Sequence, residues 1–466
     1  MRAVLLAADV FALLYLLFLN YFYASLLLRS MVRLRQESRL AEDVDFQRLI
    51  SSDSLPPVTI VVPAHNESRT IEASVGGLLR LNYQRYEVIV VNDGSADDTL
   101  ERLRDAFDLY EIPRIHPHTI PTALVRGVYR SRRYSHLAVV DKENGGKADA
   151  LNAGINASRF PWVMAVDADT LLEPDVLLRM TRPFILGRET IVAVGGTVCV
   201  ANDCLVEEGR MVRARLPRRA LAAMQVVEYL RSFVYGRIGW SAFRSNILIS
   251  GALGLFSREH LLAIGGYDAT STAEDLELVV RLHRHLRERQ EPYEMPFISD
   301  PIAWTEVPES VAGLSRQRAR WHGGLLATMW AHRGMILSPR YGRVGLVAMP
   351  FHAFGEALAP LIEAFGCVVT ALGLWAGVID GTFLLLFLCC SLGFGMILSL
   401  VAIVLEERHH KLYVAPWDLG RLVLCAALET LWFRPMTVWW RLRAFLNVGR
   451  RGYLWGESVR RGFTST

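Results

Sequence analysis

At 466 residues the chain is long enough for two or three domains, and 52% hydrophobic residues with a mean hydropathy of +0.24 exceed what a wholly soluble chain carries, so part of it is expected in a membrane. Its 51 basic and 47 acidic residues leave a formal charge of +4, too mild to point to nucleic acid as a partner. Cys199, Cys204, Cys367, Cys389, Cys390 and Cys425 show no paired metal spacing and mostly stand in apolar segments, which argues against a disulfide framework or a zinc site.

Val4 to Leu28 is almost wholly apolar, interrupted by Asp9 and Asn20. About 25 helical residues rising ~1.5 Å each exceed the ~30 Å of a hydrocarbon core, so 1–28 is predicted to cross a membrane. It lacks a basic leading segment and a small-residue cleavage site, which favours an uncleaved anchor over a signal peptide. Arg29, Arg33, Arg35 and Arg39 follow it, against Arg2 before it, so the amino terminus is expected outside and the next segment in the cytoplasm. Residues 29–55 read as an amphipathic connector that Pro56-Pro57 ends.

Val58 to Pro63 is a β-branched run that turns into Ala64-His65-Asn66-Glu67-Ser68, and Ile71, Val75, Leu78 and Leu79 then have helical spacing. Tyr86 to Val91 predicts a second strand closing on Asn92-Asp93-Gly94-Ser95, with a helix through Leu103. This alternation predicts a parallel, doubly wound sheet. No Gly-x-Gly-x-x-Gly follows the first strand, against a dinucleotide oxidoreductase, while Asp93 could accept bonds from a ribose or a base. Leu137 to Val140 predicts another strand, after which Asn144-Gly145-Gly146-Lys147 opens a helix through Ala157. Backbone amides at that start, with Lys147, would favour a phosphate; a solvated surface lysine is the plain alternative. Trp162 to Val166 then reads as a buried strand ending in Asp167-Ala168-Asp169, with Asp169 in the turn beyond it. Open α/β sheets bind ligands at such ends, and two hard oxygen ligands suit a Mg²⁺ or Mn²⁺ carrying a diphosphate. Alternatively, Asp169-Thr170 only begins a turn and caps the helix near Glu173-Pro174-Asp175.

Ile191 to Val200 predicts another strand. Arg210 to Tyr235 reads as a basic amphipathic helix, with Arg213, Arg215, Arg218 and Arg219 along the membrane surface or on the outer face of a packed helix. Ile247 to Phe256, broken by Gly251 and Gly254, reads as a strand that another backbone or a ligand can approach. Gly265-Gly266-Tyr267 turns towards Glu274-Asp275, which opens a helix carrying Leu278, Val279, Leu282 and Leu286; Ser271-x-x-Glu274 also matches a capping box. Further on, Gln317, Arg320, Trp321 and Gly324 share one helical face, whose plain alternative is an interfacial helix with a Trp anchor. Val344 to Trp375 and Thr382 to Leu405 are predicted spans joined by an outer turn at Asp380-Gly381. Glu356 and Glu363 inside the first of them either line a sugar or lipid path or pair with a neighbouring helix. Leu419 to Leu446 reads as re-entrant or interfacial, and 447–466, with Arg450, Arg451, Arg460 and Arg461, as a basic cytoplasmic tail.

Four of these segments stand in one order: Val62-Pro63-Ala64-His65-Asn66-Glu67 with Asn92-Asp93-Gly94-Ser95, Asp167-Ala168-Asp169, Glu274-Asp275, and Gln317-x-x-Arg320-Trp321. Together they resemble the membrane-embedded family 2 glycosyltransferases, the group of cellulose, chitin, hyaluronan and poly-N-acetylglucosamine synthases. The resemblance runs from about Val58 to Gly324. It implies an α/β domain of GT-A type over 56–335, cytoplasmic and Rossmann-like, beside an α-helical transmembrane domain that continues over 336–446 in the plasma (inner) membrane. It implies a nucleoside diphosphate sugar as donor, a UDP-sugar by preference, with Mg or Mn as cofactor. By position, Ala64, Asn66, Glu67, Asp93, Lys147 and Asp167 would serve the donor, and Asp169 with Asp167 the metal. Asp275 would be the general base, with Glu274 beside it, and Gln317, Arg320 and Trp321 would hold the diphosphate and the acceptor. Ala273 departs from the pattern, since many relatives have Thr there. The implied activity is inverting synthesis of a β-linked polysaccharide, with a growing glycan as acceptor and room for an accessory export protein. Single-sugar transfer to a lipid acceptor and a non-catalytic sugar-binding subunit are the alternatives.

Overall fold

The computed structural model describes residues 2–42, 55–113, 119–186, 190–207, 209–413 and 415–446; the expected tail at 447–466 and residues 43–54 of the connector lie outside the described residues. The described chain divides into two units, one holding 36–215 and 246–307, the other 1–35, 216–245 and 308–446.

The first unit is α/β. Its strands in chain order are β1 (Val58–Ala64), β2 (Tyr86–Asp93), β3 (Leu109–Ile112), β4 (Val125–Ser131), β5 (Leu137–Lys142), β6 (Trp162–Val166), β7 (Thr170–Leu172), β8 (Ala193–Val200), β9 (Leu205–Glu207), β10 (Arg210–Arg213), β11 (Leu253–Ser257) and β12 (Phe297–Thr305). β9 and β10 form a separate hairpin, and the other ten form one sheet in the order β3-β4-β5-β2-β1-β6-β11-β8-β12-β7. β5, β2, β1 and β6 are parallel neighbours, the doubly wound centre that the alternation predicts. On the flanks β4 runs antiparallel to β5, and β11 antiparallel to both β6 and β8, so the sheet is mixed. β3, β4 and β7 escape sequence reading because they are short or carry exposed polar residues that hide the apolar period. In β1, by contrast, Val58, Ile60, Val61 and Val62 have no exposed surface. The Lys147–Ala157 helix packs on that strand so closely that a Cβ at Gly154 would stand 2.1 Å from Val61 Cγ1.

Two expectations fail here. The stretch 210–235 is not one basic helix: Arg210–Arg213 is β10, paired with β9, and a helix begins only at Ala220, beyond Pro217. Leu221 through Val227 are buried, so that helix is packed on most sides and has no basic face to lay on a membrane. The strand predicted over Ile247–Phe256 starts only at Leu253 and leaves Gly251 in an irregular approach.

The second unit is helical. Residues 2–35 of it belong to one helix of 41 residues, Arg2–Glu42, which runs well past Leu28. Among the described residues Arg2–Glu37, Gly381–His409 and Pro416–Leu446 are long and apolar enough to cross a membrane. Val344–Ala357 and Ala359–Trp375 add a fourth if the pair, bent by 45°, is one span. Pro360, in the first turn after the break, cannot donate to the preceding turn and accounts for the bend. Leu419 to Leu446, read from sequence as re-entrant or interfacial, belongs to a helical run of 31 residues. Two ion pairs lie inside this unit: Arg231 with Glu429 at 2.8 Å beside Ser399, and Arg434 with Glu363 at 2.9 Å. Glu363 therefore takes the pairing alternative.

Candidate active site

Strand register makes the first part of the site. Val91 of β2 lies opposite Pro63 of β1 and Val140 of β5, and one residue further Ala64, Asn92 and Asp141 stand in a row. β6 pairs with β1 up to Val61 and Ala165, so Asp167 just beyond it reaches the same edge. β11 comes from the opposite direction, Leu253 facing Val166, and delivers Gly251 there. Two glycines permit the crowding. Gly94 has φ +61°, and a Cβ on it would lie 2.6 Å from the Asn144 nitrogen. A Cβ on Gly251 would lie 3.1 Å from Lys147 Nζ and 3.4 Å from Asp275 Oδ2.

At this edge Lys147 Nζ stands 2.5 Å from Asp167 Oδ1 and 3.5 Å from Glu274 Oε1. Burial opposes its charge, but Asp167, Glu274 and Asp275 outweigh burial and hold the ammonium above the ordinary lysine range. A solvated surface lysine is thereby excluded. Asp275 accepts the Gly251 N–H at 3.0 Å through Oδ2 and the Leu276 N–H at 2.8 Å through Oδ1. The Glu274–Glu288 helix starts at Glu274 with Ala273 as its cap residue, and Ser271 Oγ instead accepts the Ala273 N–H at 3.2 Å. The capping-box alternative needs Ser271 at the cap and so fails. Asp169 is buried in a turn closed by the Thr170 N–H on the Asp167 carbonyl at 3.0 Å, and Thr170 opens β7 rather than capping the Val176–Leu186 helix.

Asp93 stands at the end of β2. It is 3% exposed, and its carboxylate accepts the Gly145 N–H at 3.0 Å and the Gly146 N–H at 2.8 Å besides a proton of Lys142. The amides of Gly145 and Gly146, just ahead of the Lys147–Ala157 helix, are thus engaged by Asp93, which ties the end of β2 to the loop after β5. Ala64 is buried at the strand end. Asn66, at φ +57°, donates its N–H to Ser95 Oγ at 3.0 Å and accepts the Ala96 N–H at 2.8 Å. Glu67 donates its N–H to Thr99 Oγ1 at 3.0 Å, so these two residues tie the loop after β1 to the loop after β2.

Sequence reasoning missed Lys142, because a lysine beyond Val140 reads as the exposed end of a strand, and Tyr267. The Tyr267 backbone is clamped by Asn152 of the Lys147–Ala157 helix, at 2.7 Å to Oδ1 and 2.9 Å from Nδ2. Burial, then Glu274, Asp275 and Asp167, raise its phenol well above the ordinary range, so its hydroxyl stays a neutral donor. The Gly265-Gly266 pair before a bulky aromatic, close ahead of Glu274-Asp275, was the available signal.

Gln317, Arg320 and Trp321 lie on the Val311–Ala331 helix of the other unit. Trp321 is 41% exposed and carries the Arg318 guanidinium 4.4 Å from its ring centre, with Arg318 in turn bonded to Glu228. That built arrangement differs from a snorkelling anchor, since Arg318 is 4% exposed. His322, beside Trp321, accepts from Arg441 at 3.2 Å, and burial followed by Arg441 pushes its imidazole down to about 3, so it is neutral.

Among the described residues no group of three His, Cys, Asp or Glu is arranged to hold a metal by itself. The donor set nevertheless suits a divalent cation of the Mg²⁺ or Mn²⁺ kind, which is commonly held by one or two carboxylates and completed by substrate phosphates; Asp167 and Asp169 would be those carboxylates.

The family described as "Glycosyltransferase like family 2" matches residues 56–324. The poly-beta-1,6-N-acetyl-D-glucosamine synthase of Staphylococcus aureus (strain COL) is 29% identical over 279 residues, 59% of this chain and 56% of that protein. The synthase of the same name from Staphylococcus epidermidis is 28% identical over 281 residues, 59% of this chain and 57% of that protein. The chain spans about half the length of these curated relatives. A mannosyltransferase of Pyrobaculum calidifontis, solved with GDP-mannose and Mn²⁺, is 18% identical with a TM-score of 0.48, covering 91% of this chain and 99% of that one. The match at 56–324 covers more than half of the sequence and contains all four motif segments, and the protein accordingly belongs to the glycosyltransferase-like family 2.

Proposed function

We propose that the protein is an inverting glycosyltransferase that takes a sugar from a nucleoside diphosphate donor, a UDP-sugar by preference, and extends a β-linked polysaccharide at the membrane. The observation that carries this reading is the meeting of Lys147, Asp167, Glu274 and Asp275 at one sheet edge, with Asp275 oriented by the Gly251 N–H. Displacement at an anomeric carbon needs a base for the acceptor hydroxyl and positive charge for the leaving diphosphate. The acceptor oxygen forms the new bond to the anomeric carbon, its proton passes to the Asp275 carboxylate, and the electron pair of the broken bond stays on the diphosphate beside Lys147. One displacement inverts the centre, so an α-linked donor gives a β-linkage. A divalent cation held by Asp169 and Asp167 would neutralise charge on that diphosphate. Gln317, Arg320 and Trp321 are proposed to hold the diphosphate and the acceptor end of the glycan.

The names of the relatives support a polymer as product, and the apolar helices support synthesis at a bilayer, with the catalytic unit on the cytoplasmic side of the plasma (inner) membrane. Export of the chain, with or without an accessory protein, is part of the proposal. Membranes incubated with labelled nucleotide sugars, with the products sized, test it. Long chains support the reading, single-sugar lipids replace it by transfer to a lipid carrier, and no transfer from any donor overturns it.

A further inference from the structure

A lysine with no exposed surface must be fully paired, since a bare ammonium in a dry interior is costly. Lys142, the last residue of β5, is such a lysine. Its three protons meet three acceptors: Asp93 Oδ1, the Glu143 carbonyl at 2.6 Å, and Asp149 Oδ1 at 2.6 Å. Each carboxylate then holds backbone. Asp93 takes the N–H groups of Gly145 and Gly146, and Asp149 takes the Ala123 N–H at 3.0 Å. The fit is close, for a Cβ at Gly145 would stand 2.5 Å from Asp149 Oδ1. Gly146, at φ +88°, is where the loop turns into the Lys147–Ala157 helix, whose first residue presents its ammonium to Asp167.

We infer that Lys142 is a positioning residue for the donor: by binding Asp93 and Asp149 together it sets the 143–146 loop and so the place of Lys147. Asp93 acts in the same way, through the loop. Two carboxylates in one buried place repel each other, and without the ammonium between them the amides of Gly145 and Gly146 lose their fixed acceptor. The loop then loosens at the point from which Lys147 starts. This inference rests on the reading that Lys147 meets the donor diphosphate.

The test uses the full-length protein in detergent, with Lys142→Met, which keeps most of the stem and removes the charge, and Asp149→Asn as a milder change. Donor affinity is read by titration with UDP-sugar and Mn²⁺, folding by thermal melting, and the loop by amide hydrogen exchange of the 143–149 peptide. Lys142→Met should weaken donor binding about 10-fold or more, leave kcat at saturating donor within about 3-fold, and speed exchange at Gly145 and Gly146. In a Lys147→Met background it should weaken donor binding by no more than about 2-fold further, since both changes act through one ammonium. A folded Lys142→Met protein with unchanged donor affinity overturns the inference, as does a double variant whose losses multiply. If Lys142→Met does not fold, Asp149→Asn decides: weaker donor binding with faster loop exchange supports the inference, and unchanged affinity overturns it. A wild type that binds no nucleoside diphosphate sugar overturns the functional reading itself, an outcome visible before any variant is compared.

Discussion

Asp169 and Asp275 ask different things of a carboxylate, and substitution should separate them. Asp169→Ala is expected to abolish transfer and remove the metal dependence of donor binding, because one of two carboxylates is a large part of a small site's charge. Mn²⁺-dependent nucleotide titration checks this, and normal metal dependence in the variant would end the metal assignment. Asp275→Asn should leave donor binding nearly intact while turnover falls by ~10²-fold or more, the usual loss for a missing general base. If binding falls with turnover, Asp275 serves the Gly251 contact rather than the chemistry. Trp321, with Arg318 over its ring, is the group expected to hold the terminal sugar. Trp321→Ala should cost ~1–3 kcal/mol of acceptor binding, a roughly 5- to 150-fold faster release that shortens the products, measured by product sizing. Asp167 and Asp169 were legible in the sequence as candidates because polar groups that end an apolar run stand out, and the Gln-x-x-Arg-Trp face because its residues share helical spacing. Lys142 and Tyr267 were not, because a buried lysine and a clamped tyrosine are recognisable only by the acids brought to them from distant segments.

The element with most to test is the Glu274–Glu288 helix, which carries Glu274 and Asp275 at its start and His283 in its body. His283 Nδ1 meets the Tyr293 hydroxyl at 2.7 Å and Nε2 the Asn246 carbonyl at 3.0 Å. Burial is the main reason its imidazole is pushed down to about 4, with Arg287 adding to it and the Asn246 carbonyl opposing. A depressed folded value means that the neutral form's contribution is complete above the ordinary value near 6.5 and is lost as pH falls towards 4. Acidification across that window should cost on the order of 3 kcal/mol of stability, and His283→Gln should flatten the acid side of a melting profile. The Lys147–Ala157 helix offers a second check. Gly154→Ala should destabilise the protein by about 1–3 kcal/mol through overpacking on Val61, seen as a lower melting temperature. Both helices were predicted with the right start, since apolar period and a charged first turn are local signals. The 210–235 stretch was misread because its arginines and leucines suit a helix locally, while pairing of Arg210–Arg213 with Leu205–Glu207 is a tertiary choice.

At the scale of the molecule, the Pro416–Leu446 helix decides where the carboxyl terminus lies. In its own unit the run meets Leu216 and Pro217 near its start, through Asp418 and Arg421, and His322 near its end, through Arg441. Both contacts are with stretches expected on the cytoplasmic side, which favours a helix whose two ends stay there despite its length. A reporter fused after Thr466 should therefore respond as cytoplasmic, and an external signal would mean that Pro416–Leu446 crosses. The sequence by itself determined that a strand–helix alternation with carboxylates at strand ends lies between apolar segments, and hence the family, because period and composition are properties of neighbouring residues. Only the tertiary structure decided that the sheet is mixed, that Asp93 holds the loop after β5, that Ser271 caps nothing, and that Lys142 sits between two acids. Each of those depends on which distant segment supplies the partner for a buried charge or an unpaired strand edge, and such pairing is settled by burial rather than by local pattern.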